Sequence, residues 1–233
     1  MNLIFDVDDT LYNLMEPFEK AHQEVFADQT DADCEQLFKA SRIYSDEAFY
    51  MHEKGLISRE EEFPYRIAKT YADVDIQVSK EEAAKFEEWY RYYQKHIHVP
   101  EGIQEILDYC KEKKIPIAAL TNGKRDNQGK KIKTLGLSRW FDKEQIFISE
   151  GIGYTKPDKR AFLAVQESLQ IDPNETWFIG DTFEVDVVGA KSVGWHVIWF
   201  NHRHRQMPEG EIQADLEVDS ATELKKAIKQ LIG

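Results

Sequence analysis

Two aspartates separated by one residue stand near the start of the chain, and their spacing suits phosphoryl transfer. Asp6 follows the apolar run Leu3-Ile4-Phe5, which is too short for a helix and is typical of a buried strand, and Asp8 comes two residues later. A carboxylate at a strand end can attack a phosphate monoester and form an aspartyl-phosphate. We therefore assign Asp6 as the candidate nucleophile and Asp8 as the acid/base that protonates the leaving alkoxide and then activates water. The first of these roles requires a protonated Asp8, which crowding by neighbouring carboxylates would favour.

Later motifs supply the other groups that this chemistry needs. Because the phosphate dianion and a carboxylate nucleophile are both negative, cations must neutralise them and hold them in line. The Thr121 hydroxyl and the backbone N–H groups of Asn122 and Gly123 are candidates to bind phosphoryl oxygens, because a strand meets a helix N-terminus there. Lys156, just before the start of a predicted helix, is the candidate cation and the second candidate side chain for the phosphate.

Two further aspartates are candidate metal ligands. Asp181 follows the apolar run 177–180 and is the best candidate side-chain ligand for Mg²⁺, a hard cation that prefers oxygen. Asp186 comes about one helical turn later and is interpreted as a direct ligand, as a neighbour of the ligands, or as a carboxylate favoured by a helix N-terminus. Each motif alone also fits a solvated loop or a plain turn. The occurrence of all four motifs in this order is what indicates a shared site.

The predicted elements place all of these motifs at one edge of a sheet. After Val99 the sequence alternates between strand and helix patterns, which predicts a parallel sheet covered on both faces. Because sites in doubly wound sheets lie beyond the carboxyl ends of the strands, we expect the motifs to converge there. The predicted strands span 2–6, 115–120, 146–149, 176–179 and 196–200. The predicted helices lie near 103–110, 125–135, 158–169 and 184–193 and from 220 onward.

A helical segment separates the first strand from the rest of the sheet. Residues 16–96 carry apolar side chains at the i, i+3, i+4, i+7 spacing of single helix faces, as in 86–93. We therefore predict an α/β fold with a doubly wound parallel sheet and an inserted all-helical domain. The expected catalytic core comprises residues 1–13 and 97–233, and the expected cap comprises residues 14–96.

Composition limits the classes of partner. Of the 233 residues, 42% are hydrophobic and 31% are charged. A chain of this length can form one or two domains with a substantial core. A formal net charge of −13 argues against a nucleic acid polymer as partner, because phosphate backbones attract clustered Lys and Arg. Neither a membrane-spanning run nor a secretion signal is evident, so we expect no membrane partner and a cytoplasmic location. The sequence leaves the oligomeric state open.

In this order the motifs resemble those of the haloacid dehalogenase (HAD) superfamily, in particular its phosphatases with a C1-type helical cap inserted after the first strand. The resemblance covers essentially the whole core, while the cap matches only in position, length and helical character. It implies a Rossmann-like core and a Mg²⁺ ion held by the Asp6 carboxylate, the Asp8 main-chain carbonyl and Asp181. Residues 149–157 resemble the branch that contains pyrimidine 5′-nucleotidases.

The expected function is Mg²⁺-dependent hydrolysis of small phosphorylated metabolites, with nucleoside monophosphates preferred over sugar phosphates. A sugar phosphatase or a sugar phosphomutase of the same superfamily is the alternative, since it shares every catalytic residue. A 2-haloacid dehalogenase needs no metal and in that family lacks the second acid, so Asp8 and Asp181 argue against it. Receiver domains of two-component signalling also use paired acids, a Thr and a Lys. Their phosphorylated Asp follows the paired acids, however, and the order found here favours an enzyme over such a phospho-switch.

One loop is expected to be remote from this chemistry. The basic run 202–205 follows a predicted strand and is interpreted as a solvated loop rather than a phosphate contact. Asp9 is expected to be structural.

Overall fold

The computed structural model describes residues 1–232, which form two compact units. The first unit comprises Met1–Asn13 together with the described chain from His98 onward, and the second comprises Leu14–Ile97. Within residues 1–232, no helix combines the length and the apolar character that crossing a membrane requires.

The first unit is built on a six-stranded parallel sheet. Its strand order is β3-β2-β1-β4-β5-β6, so the chain runs outward from β1 on one side and then returns to build the other side. The predicted doubly wound α/β fold is confirmed. The strands are β1 (Asn2–Phe5), β2 (Ile117–Thr121), β3 (Ile146–Ile148), β4 (Thr176–Gly180), β5 (His196–Phe200) and β6 (Leu216–Val218).

The central position of β1 follows from its apolar sequence. Leu3, Ile4 and Phe5 are at most 1% exposed, so both faces of the strand are covered, as expected for a central parallel strand. Phe5 pairs in register with Ala119 on β2 and with Ile179 on β4. The residues that follow these three strands therefore leave the sheet at the same edge.

The second unit is all-helical. Its aromatic core is formed by buried side chains such as Phe18, Tyr71 and Phe86, and the Ser79–Glu82 capping box starts its last helix. Its helices are α1 (Glu16–Val25), α2 (Cys34–Glu53), α3 (Glu62–Ala72) and α4 (Lys80–Gln94).

Helices of the first unit cover the sheet. Phe162 packs edge-on against Phe178 and Trp195 in a core where all three are fully buried. These helices are α5 (Glu101–Glu112), α6 (Arg125–Thr134), α7 (Ser149–Ile152), α8 (Lys159–Leu169), α9 (Val188–Lys191) and α10 (Ala221–Ile232). Short 3₁₀ turns occupy Leu137–Arg139, Lys143–Gln145 and Pro173–Glu175.

Strand β6 and the turn after β4 differ from the sequence prediction. The strand β6 was not predicted, because it has only three residues and Leu216 is exposed, so no apolar run marks it. The predicted helix 184–193 is instead a π-helical turn at Phe183–Val187 that leads into the short α9.

Candidate active site

Asp6 and Lys156 form a buried ion pair at the end of the central strand. The Asp6 backbone N–H donates to the Ile179 carbonyl at 2.8 Å, which continues the β1–β4 pairing up to the aspartate. Lys156 Nζ donates to Asp6 Oδ1 at 2.6 Å and to Asp186 Oδ1 at 2.7 Å. Burial raises the pKa of Asp6 against the opposing effect of Lys156. Burial alone would lower the pKa of Lys156, but the two aspartates outweigh it and raise that pKa, so the ammonium stays charged.

Three carboxylates converge beside this lysine. Oxygens of Asp6, Asp181 and Asp186 lie within 4.8 Å of one another, and all three residues are buried. Burial, followed by the charges of Asp186 and Asp9, raises the pKa of Asp181 to about 6. Hard oxygen donors that repel one another at this spacing fit a divalent cation such as Mg²⁺. The structure thus brings these three predicted ligands into one cluster.

Asp186 reaches the cluster from the π-helical turn Phe183–Val187, a type of turn that is frequent at functional sites. The Thr182 backbone N–H donates to Asp186 Oδ2 at 3.0 Å, which fixes the carboxylate. A Cβ atom on Gly180 would overlap this carboxylate, so the missing side chain creates the space for it. Because Asp186 also binds Lys156, favourable placement at a helix start does not by itself explain the residue.

The Thr121 hydroxyl is a buried polar group whose hydrogen-bonding capacity is not used by the protein residues that the structure describes. Thr121 ends β2 and is fully buried, and within residues 1–232 its Oγ1 has no hydrogen-bond partner. A buried hydroxyl without a partner is rare in native proteins and calls for an explanation, such as a bound ligand. This observation is independent of the sequence pattern that selected the residue.

The Asn122 side chain anchors the lysine of the site. Its Nδ2 donates to the Lys156 carbonyl and its Oδ1 accepts from the Lys156 backbone N–H, both at 2.9 Å. Two hydrogen bonds from one amide fix the backbone from which the lysine extends. The sequence pattern had assigned Asn122 only a backbone role.

Gly123 differs from its predicted role. Its backbone has φ of +145°, a conformation that glycine adopts without strain, and its N–H donates to the Ser149 hydroxyl at 2.9 Å. Because this N–H already has a partner, Gly123 shapes the loop and is not an available phosphate donor in this structure. The sequence could not show this, because Ser149 lies on another element.

Asp8 lies outside the carboxylate cluster. Its carboxylate accepts from the Tyr12 hydroxyl at 2.5 Å and from Gln128 Nε2 at 2.8 Å, and it pairs with the Lys131 ammonium. Burial would raise the pKa of Asp8, but Lys131 and the two hydrogen bonds outweigh it and lower that pKa. The expectation that neighbouring carboxylates hold Asp8 protonated is therefore wrong for this arrangement, because its immediate partners are a cation and two donors.

The basic loop 202–205 is bound to the acidic loops, so the prediction of a solvated loop is wrong. Arg203 donates to both carboxylate oxygens of Asp9, at 2.5 and 2.6 Å. Arg205 Nη1 donates to Asp181 Oδ2 at 3.0 Å. The sequence contained an indication of this contact. The loop follows β5, so it must leave the sheet at the same edge as Asp181. Asp9 is 5% exposed and joins two loops, as its predicted structural role requires.

Comparison with known proteins defines the family. A model of haloacid dehalogenase-like hydrolases matches residues 1–194. The chain belongs to the haloacid dehalogenase-like hydrolase family. This confirms the superfamily that the motifs resemble, and it identifies the chain as a hydrolase of that family.

Individual HAD relatives extend the comparison. The glyceraldehyde 3-phosphate phosphatase of Methanopyrus kandleri is 24% identical over 98% of this chain and 97% of its own length. The pyrimidine 5′-nucleotidase YjjG of Escherichia coli is 34% identical over 48% of this chain and 49% of its own length. The crystal structure of the HAD-hydrolase YfnB of Bacillus subtilis bound to magnesium has a TM-score of 0.67 at 24% identity and covers 97% of both chains. This last similarity shows the HAD fold over 97% of the chain.

Proposed function

We propose that this HAD hydrolase is a Mg²⁺-dependent phosphatase of small phosphomonoesters that works through an aspartyl-phosphate on Asp6. One observation carries the proposal: the Lys156 ammonium bridges Asp6 and Asp186 inside a cluster of three buried carboxylates. The unpartnered Thr121 hydroxyl offers a further contact for a bound anion. A dehalogenase that attacks carbon has no need of such a carboxylate cluster.

The assigned roles follow from the contacts of each residue. Asp6, Asp181 and Asp186 would hold the Mg²⁺ ion, with the Asp8 main-chain carbonyl as a further ligand. Bound there, Mg²⁺ would offset the negative charge of the phosphoryl group. Lys156 neutralises the nucleophile and the phosphate, and its anchored backbone keeps its direction fixed.

The first chemical step transfers the phosphoryl group to the enzyme. An oxygen of Asp6 forms a bond to phosphorus as the bond from phosphorus to the ester oxygen breaks. Asp8 gives its proton to the departing oxygen, and the Thr121 hydroxyl donates to a phosphoryl oxygen. Since the Asp8 carboxylate pairs with Lys131 in the structure, it must leave that cation and take up a proton before this step.

The second step regenerates the enzyme. Asp8, now ionised, removes a proton from water, whose oxygen bonds to phosphorus while the bond from phosphorus to Asp6 breaks. Inorganic phosphate leaves and Asp6 is free again. Release of inorganic phosphate separates this reaction from a phosphomutase, in which the phosphoryl group returns to a sugar.

Within small phosphomonoesters, the substrates proposed to be preferred are nucleoside monophosphates. The proposal draws on the likeness of residues 149–157 to the nucleotidase branch and on the 34% identity with YjjG over about half of each chain. Initial rates on pyrimidine nucleoside monophosphates and on triose phosphates, measured side by side, decide between these classes. Faster turnover of the triose phosphates would contradict the preference and leave the phosphatase proposal intact.

The nucleophile assignment predicts the effect of Asp6→Asn. Because an amide neither attacks phosphorus nor carries charge, phosphate release from p-nitrophenyl phosphate should fall by on the order of 10³ or more. Wild-type activity should disappear when EDTA removes divalent cations and return with added Mg²⁺. Asp108→Asn serves as the control, since Asp108 pairs with Arg139 at the surface. Full activity of the Asp6→Asn protein would reject the assignment.

A further inference from the structure

The loop after β5 holds an arginine against the proposed metal site. The Asn201 side chain fixes this loop, because its Oδ1 accepts from the Arg205 backbone N–H at 2.8 Å and its Nδ2 donates to the Arg205 carbonyl at 2.9 Å. Asn201 is 5% exposed and also donates to Glu217 Oε1 at 2.7 Å, which ties the loop to β6. The backbone of Arg205 is therefore anchored in a set position.

From this position the guanidinium reaches one member of the carboxylate cluster. Arg205 Nη1 donates to Asp181 Oδ2 at 3.0 Å and to the Asp181 carbonyl at 3.2 Å. Asp9 is bound at 2.5 and 2.6 Å by Arg203, whereas Arg205 approaches it only to 3.8 Å. Asp181 is therefore the main anionic partner of Arg205.

Two cationic side chains pair with different members of the carboxylate cluster. Lys156 pairs with Asp6 and Asp186, and in the ion pairs of residues 1–232 the partner of Asp181 is Arg205. A divalent cation that binds Asp181 must add positive charge next to this guanidinium. The positive charge of Arg205 therefore offsets the negative charge of the cluster and repels a second cation at Asp181.

Asp181 does not depend on Arg205 for its position. The buried Trp199 indole N–H donates to the Asp181 carbonyl at 2.8 Å, and the Thr182 hydroxyl donates to Asp181 Oδ2 at 3.1 Å. Loss of the guanidinium would remove a charge while these contacts keep the carboxylate in place. The electrostatic effect of a substitution should thus exceed its effect on geometry.

We propose that Arg205 acts electrostatically through Asp181: it is the counter-ion of this carboxylate and weakens the binding of a divalent cation. The proposal rests on the proposed function, because it presumes that Asp181 is a metal ligand.

Titration calorimetry with Mg²⁺ alone on metal-free protein tests the proposal. Measurements belong at pH 8, well above the range in which carboxylates ordinarily titrate. Arg205→Gln keeps a hydrogen-bond donor and removes the charge, so the Kd for Mg²⁺ should fall about tenfold, a modest change because the guanidinium is partly exposed. Arg205→Lys should retain a Kd near that of the wild type. Arg139→Met, which removes a surface arginine that pairs with Asp108, is the control and should not change the Kd.

Melting temperatures in EDTA provide the second readout. The metal-free Arg205→Gln protein should melt below the wild type, because three carboxylates then repel one another with one fewer cation, and Mg²⁺ should raise its melting temperature more than it raises that of the wild type. Arg205→Met replaces Arg205→Gln if the latter fails to fold, with the same expected direction. An unchanged or larger Kd in the charge-removing variant overturns the role of Arg205 alone. A wild type that binds no Mg²⁺ overturns the proposed metal site and this inference together.

Discussion

At the scale of single residues, the site contains two kinds of carboxylate. Asp6 and Asp181 are buried among other acids, and their pKa values are raised, first by burial. Asp8 lies among donors, and its pKa is lowered. Environment rather than residue type therefore separates the carboxylates proposed to bind metal and phosphate from the one proposed to move protons.

Replacement of Lys131 tests the cause of the Asp8 shift. Burial alone would raise the pKa of Asp8, and the Lys131 ammonium is the largest opposing effect. In Lys131→Met the pKa of Asp8 should rise, so that at a fixed mildly acidic pH a larger fraction of Asp8 is protonated. Carbon NMR of labelled aspartate carboxyl groups in the metal-free protein measures this pKa directly. Lys133→Met, an exposed lysine of the same helix, is the matched control and should leave the Asp8 titration unchanged.

At the scale of elements, the turn after β4 depends on a glycine. Gly180 ends β4, and a Cβ atom there would overlap the Asp186 carboxylate that Lys156 and the Thr182 N–H hold in place. The strand end and the π-helical turn thus pack so closely that backbone of one lies against a side chain of the other. This close approach, rather than a positive φ, explains the residue type.

The glycine at this turn yields a prediction with an internal control. Gly180→Ala should lower the free energy of unfolding by about 1–3 kcal/mol, because overpacking displaces Asp186, and it should also weaken Mg²⁺ binding. Gly129→Ala lies within α6, where a Cβ atom meets nothing within 4 Å, and should raise stability by about 1 kcal/mol. Urea unfolding of both variants measures the difference. Equal free energies of unfolding for the two variants would show that the Asp186 carboxylate moves aside at no cost.

At the scale of the whole molecule, two units are built on different principles. The first buries apolar strands in a parallel sheet, and the second buries an aromatic core between helices, with Phe86 in ring contact with Phe18 and Tyr71. We propose that the sheet unit carries the chemistry and that the helical unit is the cap expected from the sequence. The hydrogen bonds and ion pairs described for the candidate site all join residues of the first unit.

The second unit should fold by itself. Residues 14–97 form one continuous segment that contains its own core, so a peptide of this segment should be helical and should unfold cooperatively. Circular dichroism during heating measures both properties. Phe86→Ala removes a fully buried ring of this core and should lower the melting temperature or abolish the transition. A helical signal that decays without a transition would contradict an independent core.

The fold class and the convergence of three site residues follow from the sequence pattern. Apolar runs that end in acid or threonine mark β1, β2 and β4, and the carboxyl ends of neighbouring parallel strands lie at one edge of a sheet. From that rule alone, Asp6, Thr121 and Asp181 had to lie near one another. The structure places them at that edge, and the helical insert was evident from its 3.6-residue period.

The partners of these groups depend on tertiary packing. Lys131 lies 123 residues from Asp8, and Arg205 lies 24 residues from Asp181, so no local period links either pair. Which cation reaches which carboxylate depends on how α6 and the loop after β5 pack against the sheet and on which rotamers fit there. Hydrophobic periodicity specifies which face of an element is buried, whereas the charge state of a buried acid depends on the few polar atoms that packing brings within about 3 Å.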